Sequence, residues 1–81
     1  MQPHINLPAA YMPHAGLIAA FEACPLIAIM RGVTPADAAD HGRALYEAGF
    51  RIVEVPLNSP QPFDSIAAIR QALPADAIVG A

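Results

Sequence analysis

Two proline-marked helix starts, Thr34-Pro35 and Ser59-Pro60, each follow a short apolar run rich in β-branched residues, and this pattern constrains the fold of the 81-residue chain more than any other feature. The runs cover 26–30 and 50–55, and a third covers 77–81. Short apolar runs bounded by turn residues suit strands buried on both faces. Their starts recur about every 25 residues, which leaves room for one helix between successive strands. Crossovers of that length join parallel strands with right-handed connections. The sequence therefore predicts an α/β domain, a leading helix followed by βαβαβ.

Each element carries its own signals. Residues 15–23 bring Leu17, Ile18 and Phe21 together among small alanines and stop before Pro25, which suits the leading helix. The second helix is predicted from Thr34 as N-cap and Pro35 at N1, with Asp37 near the positive end of the helix dipole, to about Ala48; Gly49 closes it. Along it Ala38, Gly42, Leu45 and Gly49 form a narrow stripe whose small residues allow close approach to a sheet. The third helix is predicted from Ser59 as N-cap and Pro60 at N1 to Pro74, with Phe63, Ile66, Ile69 and Leu73 inward and Asp64 and Gln71 outward. Residues 1–14, with Pro3, Pro8 and Pro13 and no Asp, Glu, Lys or Arg, read as an irregular arm.

Eight strand-helix units at this period need roughly 200 residues, the lower end for a (β/α)₈ barrel. Three parallel strands leave an open edge. Residues 15–81 are accordingly expected to be the N-terminal part of a single barrel domain, with the remainder of the barrel outside the chain. A doubly wound dinucleotide fold wants Gly-x-Gly-x-x-Gly after the first strand, where Arg31-Gly32-Val33-Thr34 offers one glycine. A phosphate-binding loop ending in Gly-Lys is excluded because the chain has no lysine.

Composition narrows the partners. The net charge is −3, and the four cations, Arg31, Arg43, Arg51 and Arg70, are scattered, so no basic patch exists for nucleic acid or an anionic membrane. The single cysteine, Cys24, cannot form an internal disulfide and is expected to pack as a small hydrophobe. No positive region opens a secretory signal, and the longest apolar stretch is broken by Glu22 and Pro25. A cytoplasmic location is the expectation. Eighteen alanines leave only 26 larger apolar side chains, a thin core for independent folding.

Candidate chemistry rests on two residues. Arg31 falls just past the first strand and Glu54 near the end of the second, at the carboxyl edge where both α/β architectures build their sites. By alternation Ile27, Ile29 and Arg31 share one face of the first strand, and Ile52 and Glu54 one face of the second; placed on the barrel's inner face, the two charges put a cation and a carboxylate on neighbouring strands. The pair is either an ion pair closing the core or an anion anchor beside a general acid/base. His4 and His14 lie in the arm without a carboxylate or cysteine cluster, and no metal site is expected. His41, four residues after Asp37, reads as part of a solvated helix face, as do Asp40, Arg43 and Glu47.

The segments Leu26-Ile27-Ala28-Ile29-Met30-Arg31-Gly32-Val33-Thr34-Pro35, Glu47-Ala48-Gly49-Phe50, Val53-Glu54-Val55-Pro56-Leu57-Asn58-Ser59-Pro60 and Ile78-Val79-Gly80-Ala81 carry a resemblance, in order, over residues 25–81. Together they resemble the opening of the KDPG/KHG aldolase family, within it the enzymes acting on 2-dehydro-3-deoxy-6-phosphogalactonate. The resemblance implies a homotrimeric (β/α)₈ barrel without metal or other cofactor. It also implies a class I aldolase, which uses a Schiff-base lysine to cleave a small phosphorylated keto-sugar acid into pyruvate and glyceraldehyde 3-phosphate. By the family pattern Glu54 is the catalytic acid/base, Arg31 a substrate-anion contact, and Gly80 part of a segment lying against the substrate. Asn58 stands where phosphogluconate-cleaving relatives often carry arginine, which favours the galactonate branch.

The departure from the family is the lysine, which belongs to a later strand. The 81 residues by themselves are therefore expected to be inactive. Two other readings are a receiver-like signalling domain, which wants acids where Arg31 stands, and a non-enzymatic fragment that associates through its strand edge.

Overall fold

A computed structural model describes residues 15–81; the arm predicted over 1–14, with His4 and His14, lies outside the described residues. The elements are α1 (Ala15–Ala23), β1 (Ile27–Ile29), α2 (Pro35–Glu47), β2 (Ile52–Glu54), α3 (Pro62–Ala72) and β3 (Ile78–Gly80). The three strands pair in parallel in the order β1-β2-β3. The α/β class and the element order are as the sequence predicts.

The strands are shorter than the apolar runs, because ladder pairing holds three residues in each. Hydrogen bonding continues beyond them: Met30 N–H donates to Glu54 C=O at 2.8 Å, Val55 N–H to Gly80 C=O at 2.8 Å, and Ile78 N–H to Arg51 C=O at 2.8 Å.

One sheet face packs on α2 and α3. Met30, Val33, Ala38, Val53, Val55, Ile69, Leu73 and Ala77 form this core, with Leu45, Tyr46, Ile66 and Val79 against it. The opposite face carries the register row Ile27, Ile52 and Ile78. Helix α1 lies on that side, with Leu17, Ile18 and Phe21 around an apolar hollow of 480 Å³ that also touches Ile27 and Ile52. It buries Ile52 but leaves Ile27 54% and Ile29 56% exposed. Leaving two isoleucines on a parallel sheet half in water departs from the two-sided burial that such sheets normally have.

Helix α2 starts as predicted. Thr34 is the N-cap in extended backbone and Pro35 follows, but the Thr34 hydroxyl donates to the Asp37 carboxylate at 3.3 Å instead of accepting a backbone N–H. At its other end Gly49 adopts φ +112°, Gly49 N–H donates to Tyr46 C=O and Phe50 N–H to Leu45 C=O, both at 3.0 Å. That bonding pattern is a Schellman motif, and the left-handed φ explains the glycine. The small stripe is buried at Ala38 and Gly42, though Gly42 meets Ile69 of α3 where a sheet contact was predicted. Glycine brings helix against helix here.

Helix α3 corrects two expectations. It begins at Pro62, capped by Gln61 in the left-handed region at φ 43°, and Ser59-Pro60 stays in the preceding loop. The chain holds a second X-Pro start, Gln61-Pro62, and Ser59 is engaged elsewhere, as described below. Phe63, predicted inward, is 71% exposed. Ser65, Ile69 and Leu73 set the inward face, and Phe63, two residues before Ser65, projects from roughly the opposite side of a helix with 3.6 residues per turn.

Candidate active site

Glu54 is the last residue of β2, and its register partners are Ile29 on β1 and Gly80 on β3. Val53 and Val55 are buried in the helix-covered core, so alternation turns Glu54 to the other face, where it is half-buried. The backbone around it is fixed on both sides by the Met30 and Val55 hydrogen bonds. A Cβ placed on Gly80 would meet nothing within 4 Å. The row Ile29, Glu54, Gly80 is thus a shelf at the carboxyl edge with one apolar side chain, one carboxylate and one bare stretch of backbone. The structure brings Glu54 and Gly80 together.

Arg31 stands outside that shelf. It opens the turn after β1, is exposed, and precedes Gly32 at φ +74°. It lines an open groove of 490 Å³ shared with Thr34, Asp37 and His41, and Glu54 does not line that groove. Among the described residues the ion pairs are Arg43 with Asp40 and Arg51 with Asp76. No ion pair therefore joins Arg31 to Glu54, and the core-closing pair is not formed. Both charges lie at the carboxyl ends of neighbouring strands without touching.

Sequence reasoning assigned Ser59 to a helix cap and missed its place here. Ser59 is only 5% exposed, and its Oγ accepts the Gly32 N–H at 3.3 Å. Its own N–H donates to Pro56 C=O at 2.9 Å. The hydroxyl links the loop after Glu54 to the turn after Arg31, across 27 residues of sequence. A bond of that separation leaves no local sequence signal.

Other candidates stay peripheral. His41 is exposed on α2 beside the groove. Cys24 is a free thiol, half-buried after α1. Among the described residues no group of three or more His, Cys, Asp or Glu side chains is placed to hold a metal. No described helix is long and apolar enough to cross a membrane.

The opposite, amino edge of the sheet is cross-linked by polar groups. Arg51 Nη1 donates to Tyr46 C=O and Phe50 C=O, both at 2.9 Å, its Nε lies 3.4 Å from Asp76, and its guanidinium sits 3.8 Å above the centre of the Tyr46 ring. The Tyr46 hydroxyl donates to Asp76 at 2.7 Å. That hydrogen bond, first of all, raises the Tyr46 pKa above its ordinary 10.0; desolvation and the Asp76 charge act the same way, and Arg51 opposes them. Arg70 spans the carbonyls of Leu73, Pro74 and Ala77. These contacts join α2, α3 and the strand starts, away from Glu54.

A 57-residue stretch is 54% identical to 2-dehydro-3-deoxy-6-phosphogalactonate aldolase from Escherichia coli (strain K12), covering 70% of this chain and 28% of that protein. The chain resembles this aldolase. A probable 2-dehydro-3-deoxy-6-phosphogalactonate aldolase from Rhizobium meliloti (strain 1021) is 49% identical over 57 residues, 70% of this chain and 27% of that protein. The chain spans a little over a quarter of the length of these aldolases. No protein-family model matches the chain. No solved structure matches it.

Proposed function

We propose that the chain forms the opening part of a class I aldolase that cleaves 2-dehydro-3-deoxy-6-phosphogalactonate into pyruvate and glyceraldehyde 3-phosphate. Similarity to two proteins bearing the galactonate aldolase name supports the reaction class and the substrate. The observation that carries the chemistry is Glu54, held at a strand's carboxyl end with no cation within ion-pair distance among the described residues and with open space beside it at Gly80. Three parallel strands in sequential order, with α2 and α3 on one face, fit the first units of a (β/α)₈ barrel. In that barrel Glu54 faces the interior at the carboxyl end. A homotrimeric, cytoplasmic enzyme without metal or other cofactor completes the reading.

Cleavage needs an electron sink at the substrate ketone, which in this class is a lysine; this chain has none, so the lysine would lie on a strand beyond it. The residues of this chain have the other tasks. Glu54 takes the proton of the hydroxyl that becomes the aldehyde as the carbon–carbon bond breaks, and returns a proton to the pyruvate carbon. It also moves the protons needed to form and hydrolyse the covalent adduct. Arg31 holds a substrate anion by charge-assisted hydrogen bonds. Gly80 lets the substrate approach the backbone, because no side chain stands there.

The test is a chimera in which this chain's segment replaces the matching 57 residues of the Escherichia coli relative. It should cleave the phosphogalactonate substrate, and Glu54→Gln within it should lower kcat by about 10²-fold or more while the fold is kept. An inactive but folded chimera overturns the functional reading, and near-normal turnover of Glu54→Gln makes Glu54 structural.

A further inference from the structure

We propose that Ser59 is a positioning residue that sets the direction of Arg31 relative to Glu54; this rests on the reading of Arg31 as an anion contact. The turn carrying Arg31 is anchored at its two ends by the buried Met30 and Val33, and between them few hydrogen bonds hold it. Gly32 sits at φ +74°, and within the turn the one backbone bond is Val33 N–H to Met30 C=O, long at 3.4 Å. The Ser59 hydroxyl supplies the second restraint by accepting the Gly32 N–H at 3.3 Å, a bond of similar length that ties the turn to a different strand's loop.

Ser59 is well placed to act as a fixed post. It is buried, and its N–H is bonded to Pro56 C=O within the loop that leaves β2 directly after Glu54 and Val55. One end of the link is thus tied to the strand carrying the carboxylate and the other to the residue next to the guanidinium. Side chains with several rotatable bonds need a fixed base to hold a ligand in one geometry, and a small displacement of that base weakens binding. Without the hydroxyl, the N–H of the exposed Gly32 turns to water, and the turn loses its side-chain tie to the loop after β2.

Because Arg31 binds the anion in ground and transition states alike, disturbing it raises KM more than it lowers kcat. Ser59→Ala should therefore act through KM, and only while Arg31 is present. The experiment uses the active chimera. Ser59→Ala should raise KM about five-fold, the equivalent of one neutral hydrogen bond, with kcat within about two-fold of the parent. Ser59→Thr, which keeps the acceptor, should recover most of the loss. In the Arg31→Met background the Ser59→Ala change should move KM no further, because residues coupled through a shared backbone segment are non-additive.

Unchanged KM in Ser59→Ala, or a KM effect that simply adds to that of Arg31→Met, overturns the proposal. If Arg31→Met itself leaves KM unaltered, the anion-contact reading has failed instead, and the two failures are separated. Circular dichroism and sedimentation establish that each variant is folded. Should Ser59→Ala not fold, Ser59→Cys, close in size but a weak acceptor, is judged by the same criteria.

Discussion

Gly42 of α2 lies so close to Ile69 of α3 that a methyl group in place of its hydrogen would stand 3.1 Å from Ile69 Cγ2. Ile69 is fully buried and branched at Cβ, so it has little freedom to yield. Alanine would gain about 1 kcal/mol of helix propensity, but overpacking a closed core costs about 1–3 kcal/mol. Gly42→Ala should therefore lower stability by about 1 kcal/mol in the chimera, read from urea unfolding. Adding Ile69→Leu, which removes the Cγ2 methyl at nearly constant volume, should recover part of that loss; a Gly42→Ala variant more stable than its parent would mean that the two helices separate easily.

Gly80 behaves in the opposite way. Its φ is not positive and a Cβ meets nothing within 4 Å, so Gly80→Ala should leave stability within about 0.5 kcal/mol of the parent or raise it. On the proposed function the same methyl enters space used by the substrate next to Glu54. Gly80→Val should then raise KM several-fold in steady-state assays without lowering the melting temperature. Unaltered kinetics in both variants would mean that the substrate does not approach β3 at this point.

The Tyr46 phenol should titrate above its ordinary 10.0, chiefly because it donates a hydrogen bond to Asp76. A group whose folded pKa is raised binds its proton more tightly in the native state. Its stabilising effect is present below the unfolded value near 10 and is lost as pH climbs through the higher folded value. The ¹³Cζ shift of Tyr46 followed from pH 8 to 12 reads this directly, and Asp76→Ala should move the midpoint back toward 10.0. A midpoint indifferent to Asp76 would remove the hydrogen bond as the cause.

The 81 residues studied alone should show no aldolase activity, and borohydride with pyruvate should label no lysine, since none is present. Ile27, Ile29, Phe21 and Ile18 leave an exposed apolar face, and β1 and β3 each present an unpaired edge among the described residues. Such a surface favours self-association or a loosely packed state. Sedimentation and calorimetry check this, and a monomer with a sharp two-state melt would show that the chain covers its own apolar face.

The α/β order was legible because punctuation and periodicity agree over β1, α2 and β2: Thr34-Pro35 opens the helix, Gly49 closes it, and branched residues fill the strands. The start of α3 was not, since Ser59 is a preferred N-cap residue and Gln61 is not, yet the helix opens at Gln61-Pro62 and the Ser59 hydroxyl instead accepts the Gly32 N–H. Phe63 was misplaced for a separate reason: its spacing from Ile66 was read as the inward row, whereas Ser65, a polar residue, shares the buried face with Ile69. Within the candidate site, alternation put Glu54 on the face away from the helices and register added Gly80 beside it. Arg31 was harder to place, because past the last ladder residue alternation no longer constrains a side chain, and its groove excludes Glu54. The Arg51, Tyr46 and Asp76 cluster was illegible for the reason that hid Ser59, namely partners brought together only by the finished fold.

The polar cross-links of Arg51, Tyr46, Asp76 and Arg70 gather at the rim where the strands begin, and Glu54, Gly80 and the exposed Leu57 and Asn58 stand at or beyond the rim where they end. Cross-linking of the scaffold and the proposed chemistry thereby fall at different ends of one small sheet. On the proposed function, residues along the finishing rim can be exchanged to alter substrate contacts while the anchors at the starting rim go on holding the scaffold in register.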